Sequence, residues 1–152
     1  MGQQQLLLLV LATVIVGLAT VAGIQAFDQG QSQAANDALT QKALSIASDI
    51  QAQAKKPSQL GGIDLSSNPG ASTVANAVGL ESATGIEAGG AGEGATCKIT
   101  TSTNNGDGVQ VACDGGNATT NVQADVLDDD SGTTSDSDDS PDIETTFGSG
   151  TV

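Results

Sequence analysis

The sequence predicts an α+β protein: a long N-terminal helix, transmembrane and then amphipathic, packed on a small antiparallel β meander and followed by a disordered acidic tail. Three observations predict it. Residues 6–27 form an uncharged apolar run, residues 35–54 place apolar side chains every third or fourth position, and beyond residue 95 the apolar period falls to two on either side of an Asn-Gly turn. The implied segments are a transmembrane N-terminal helix over 1–27, its amphipathic continuation over 28–57, a small β-rich outer domain over 58–127, and the acidic tail over 128–152.

The apolar run comes first. Its only strongly polar side chain is Gln25, and 22 helical residues span about 33 Å, enough to cross the hydrocarbon core of a bilayer. The competing reading is a cleaved secretory signal, with Ile24-Gln25-Ala26 as its cut site. Two features favour a retained anchor. No Lys or Arg precedes the run, and it is longer than the apolar core of about 7–15 residues that a signal needs.

The helical pattern then continues. Ala35, Leu39, Ala43, Ile46, Ile50 and Ala54 make one apolar stripe, while Asn36, Asp37, Gln41, Ser48, Asp49 and Gln51 lie off it. One helix over about 3–56 is expected, ended by Pro57 and Gly61-Gly62, with Lys55 and Lys56 at the negative end of its dipole. Gly17, Gly23 and Gly30 interrupt it as weak points or as places of close helix contact.

An apolar helix running directly into an amphipathic one, then a Gly-rich loop and a small β domain, resembles a type IV pilin or pseudopilin. The opening Met1-Gly2-Gln3-Gln4-Gln5-Leu6-Leu7-Leu8-Leu9, the stretch Leu44-Ser45-Ile46-Ala47-Ser48 and Lys56-Pro57 followed by Gly61-Gly62 are similar to pilin-like proteins found in bacteria. The similarity covers about residues 1–65. It implies a membrane-anchored subunit whose N-terminal helices pack together in a surface filament or secretion apparatus. The pilin pattern carries a Glu at the fifth mature position, where it neutralises the preceding subunit's amino terminus. Here a cut after Gly2 would put Leu7 at that position, so Gln3, Gln4 and Gln5, with Gly17 and Gly23, are the candidate helix-packing residues. The pilin arrangement also implies a cytoplasmic N-terminus. Lys42, the only cation near the span, argues weakly for the reverse, and the cysteines argue for export of the C-terminal part.

Cys97 and Cys113 are the only cysteines. Strands over 96–103 and 107–113 around Asn104-Asn105-Gly106 make a three-residue hairpin loop that pairs Thr103 with Asp107. Counting outward sets Cys97 opposite Cys113, with Ile99 opposite Val111 and Thr101 opposite Val109. A two-residue Asn105-Gly106 turn would shift the register by one and separate the cysteines. A disulfide is therefore expected, and with it an oxidising compartment. Two free thiols are the alternative. A third strand is expected over 120–126. Residues 72–78 read as one or two helical turns, 80–87 as an edge strand, and 89–94 as a flexible glycine loop.

Composition narrows the function. The chain has 18 acidic residues against four Lys and a net charge of −14, with no His and no Trp or Tyr. Nucleic-acid binding is disfavoured because nothing could neutralise several phosphates. The acidic balance suits a halophilic setting, where salt screens self-repulsion. The large apolar side chains beyond residue 56 are too few to offset the cost of ordering the outer segment alone, so a staple or neighbouring subunits are expected. No catalytic constellation emerges, since a Ser nucleophile would lack its usual base. No cofactor, metal site or small-molecule substrate is indicated: two Cys without His do not make a zinc site, and the Asp runs match no EF-hand spacing. Asn117-Ala118-Thr119 fits the glycosylation sequon, which matters only in a host with that machinery.

The expectation is a structural, non-enzymatic pilin-like subunit. Its partners are membrane lipid and other copies or pilin-like subunits, contacted through the N-terminal helix. The alternative is a monomeric, membrane-tethered binding domain outside the cytosol.

Overall fold

A computed structural model describes residues 2–101, 108–127 and 142–148. It is an α+β structure in which α1, Gly2–Ala54, lays its C-terminal third on a five-stranded antiparallel sheet. The helix is about 80 Å long at 1.5 Å per residue. The sheet is a simple meander: β1 (Ile86–Glu87), β2 (Thr96–Thr101), β3 (Gly108–Asp114), β4 (Asn121–Leu127) and β5 (Asp142–Gly148) lie side by side in chain order. A short helix, α2 (Ala71–Ala77), covers part of the remaining core with Val74 and Ala75.

The core follows from the two periodicities. Ala35, Leu39, Ala43, Ile46 and Ile50 of the expected stripe are buried, joined by Ala47, while Ala54 is partly buried at its end. They meet the sheet face at Val109, Val111 and Cys113 of β3 and Val122, Ala124 and Val126 of β4, while α2 packs on β2, whose Cys97 and Ile99 join the same core. Small residues on the helix allow the sheet to approach closely, and Leu39 and Ile50 fill the space between them.

α1 stops two residues before its expected end. The Lys55 N–H still reaches Gln51 O (3.1 Å), but Lys56 donates to Gln53 O (3.2 Å), and the Ile63 N–H returns to the same Gln53 carbonyl (3.2 Å). Pro57 starts a 3-10 turn at Ser58–Leu60. The returning chain passes so close that a Cβ at Gly62 would fall onto the Lys56 carbonyl, so only glycine fits there.

Three expectations are corrected. The meander has five strands rather than three. Part of the stretch read as a disordered tail is β5, in which Ile143, Thr145 and Phe147 pair with Val126, Ala124 and Val122; β-branched and aromatic residues there offset the acidic composition. The edge strand expected over 80–87 shrinks to Ile86–Glu87. The glycine loop over 89–94 is exposed except at Ala91, which is buried and whose carbonyl accepts from the Asn117 N–H (2.9 Å). Gly116 has φ +67°, and a Cβ on it would strike the Ala91 carbonyl. The Asn104-Asn105-Gly106 turn, the Thr103–Asp107 pair and residues 128–141 and 149–152 of the expected tail lie outside the described residues.

Candidate interaction helix and its braced sheet

Residues 2–31 of α1 are all exposed, and the first buried position is Ala35. An 18-residue window of this helix has a mean hydropathy of 2.7, long and apolar enough to cross a membrane. Leu7, Leu18 and Phe27 are each two-thirds exposed, which in water would be a severe cost over so many neighbouring side chains. Two hydroxyls within the run are satisfied locally. Thr13 donates its hydroxyl to Val10 O (2.8 Å) and Thr20 donates to Gly17 O (2.8 Å). Such bonds let hydroxyls sit in lipid without an external partner.

Gly17 and Gly23 lie in this exposed part, and a Cβ on either would meet nothing within 4 Å. At about 100° per residue, Gly17 falls on the side of α1 that carries the sheet-covered stripe from Ala35 to Ile50. Gly23 and Gly30 fall on roughly the opposite side, in line with exposed Asp37, Gln41 and Leu44. The two glycines thus open different sides of the helix. Gln3, Gln4 and Gln5 stand exposed at its start. Among the described residues no other element is brought against these five positions.

The cysteines are brought together. Cys97 and Cys113 face each other across β2 and β3 and form a disulfide, with both side chains buried. Ile99 opposite Val111 and Thr101 opposite Val109 complete the expected register. The bond ties the edge side of the meander to its central strand, beside the face that receives α1.

A second fastening escaped the sequence reading. Asn36, placed off the stripe, is half-buried. Its Oδ1 accepts from the Thr120 N–H (3.4 Å) and hydroxyl (3.2 Å), and its Nδ2 donates to the Thr119 hydroxyl oxygen (3.3 Å). The turn before β4 is thereby clasped to α1 one residue after the helix becomes buried. Periodicity marks Asn36 only as polar, and nothing local links it to residues more than eighty positions away.

Among the described residues no three His, Cys, Asp or Glu side chains gather as metal ligands. No protein-family model, curated protein or solved structure matches the chain. Its architecture is pilin-like: a long N-terminal helix, apolar in its N-terminal part, whose far end packs on a disulfide-bonded antiparallel sheet.

Proposed function

We propose that the protein is a structural, non-enzymatic, membrane-anchored subunit that assembles with copies of itself or with similar subunits through α1. The observation that carries this reading is the contrast along one continuous helix. One face of the stretch over 35–50 is covered by its own sheet, whereas residues 2–31 present apolar side chains on every side with no partner among the described residues. Lipid covers such a surface, and neighbouring helices cover it where small residues permit close approach. The disulfide supports an extracytoplasmic position for the sheet, because such bonds persist in oxidising compartments. The net charge of −14 supports a saline setting.

The anchoring step is tested by fractionation. The native protein should resist alkaline carbonate washing and be released by detergent. A soluble form beginning near Phe27 would replace the anchor with a cleaved signal. Native-membrane crosslinking that gives only monomers would leave a tethered binding domain in place of an assembling subunit.

A further inference from the structure

The face of the sheet turned away from α1 carries an electrostatic fault along one seam. Asp125 of β4 stands directly opposite Glu144 of β5. On its other side Asp125 faces Gln110 of β3, whose Nε2 donates to the carboxylate at 2.9 Å. Like charges directly opposite across an antiparallel pair weaken it. The wider surroundings bring no relief. Lys98 is two strands away, opposite Ala112, and it is the last cation in the sequence; eleven carboxylates follow it. On the same side of β4, Gln123 and Leu127 flank Asp125, and Asp142 occupies the register position opposite Leu127. α1 packs on the other face of the sheet. β5 is also the least enclosed long strand, with Glu144, Thr145, Thr146 and Phe147 all exposed.

We propose that β5 is a conditional edge strand, docked on β4 when the Asp125–Glu144 repulsion is relieved by protonation or by salt and released from it in dilute neutral solution. Release would bare the edge of β4 and give up the few contacts between α1 and β5, while leaving the disulfide-bonded β2–β3 pair and the α1 contacts with β3 and β4 in place. The titration behaviour of Asp125 agrees in sign. Burial pushes its carboxyl above the ordinary value of 3.8, the Gln110 hydrogen bond pulls it down, and Glu144 pushes it up again. A carboxyl whose pKa is raised in the docked state binds its proton more tightly there. The gain is full below the ordinary value and is lost as pH rises through the raised one.

The test is hydrogen exchange on the full chain in detergent, comparing Glu144→Gln and Glu144→Lys with wild type under matched conditions, so that intrinsic exchange rates cancel. In millimolar salt at pH 7, β5 amides in Glu144→Gln should exchange about two- to fivefold more slowly than in wild type. Glu144→Lys should be slower still. The Glu144→Gln advantage should shrink in molar NaCl and as pH falls toward the ordinary carboxylate range, with β2–β3 amides as the control for global unfolding. Equal β5 exchange in wild type and Glu144→Gln at pH 7 would overturn the proposal. So would an advantage that persists unchanged in molar NaCl, which would make it a matter of shape rather than charge.

Discussion

Asn36 on α1 accepts two hydrogen bonds from Thr120, one from its backbone N–H and one from its hydroxyl, and so joins the helix to the turn that starts β4. This clasp sits where α1 passes from its exposed to its buried half. Removing it leaves a half-buried N–H without its acceptor, at a cost of about 1–3 kcal/mol. Asn36→Ala should therefore lower the thermal midpoint of the outer domain without changing membrane association. An unchanged midpoint by calorimetry would show the clasp to be energetically idle.

The Cys97–Cys113 bond closes a 17-residue loop (97 to 113 inclusive), and constraining the unfolded chain in this way contributes about 3 kcal/mol. Protein taken from its native compartment and denatured without reductant should offer no thiol to a maleimide. The double substitution to Ser should lose about that stability in urea unfolding. Two labelled thiols in the native material would contradict both the bond and the oxidising location.

Leu39 is fully buried at the centre of the helix–sheet contact. Leu39→Ala should cost about 2–5 kcal/mol by leaving a cavity, whereas Leu44→Ala, on the exposed side, should cost well under 1 kcal/mol. Comparable losses at the two positions would contradict the assigned packing face.

Much of this was legible in the sequence because two independent constraints agreed. The stripe from Ala35 to Ile50 repeats at the helical period, and the spacing of Cys97 and Cys113 fits only the register that a three-residue loop sets. β5 was obscured by composition: Asp142 and Glu144 belong to an acidic stretch whose overall charge signals disorder, and that outweighed the alternation of Ile143, Thr145 and Phe147. The Asn36 clasp is a tertiary contact without a local pattern. Packing of the glycine loop at Ala91 depends on Gly116 and Ala91 meeting across about 25 positions, which no short window reveals. The candidate helix-packing residues Gln3, Gln4, Gln5, Gly17 and Gly23 concern contacts between subunits, and the described residues of one chain bring no other element against them.

The charge balance gives a further expectation. With a net charge of −14, the protein should gain stability as NaCl rises from millimolar to molar, because screening reduces carboxylate repulsion. A flat NaCl response, with gains only in sulfate salts that strengthen apolar burial, would remove the electrostatic explanation.

The central claim is that α1 serves as a packing element between subunits as well as an anchor. Crosslinking in native membranes tests it most directly, comparing wild type with Gly17→Leu, Gly23→Leu and the triple replacement of Gln3, Gln4 and Gln5 by Ala. A Cβ at Gly17 or Gly23 meets nothing within 4 Å among the described residues, so leucine side chains there should leave the fold and membrane insertion intact. They should push neighbouring helices apart and abolish the crosslinked oligomers seen in wild type. The triple Ala variant should weaken the oligomers by removing interhelical hydrogen bonds. Monomers alone in wild type and variants would contradict the account, as would oligomers that survive every one of these changes.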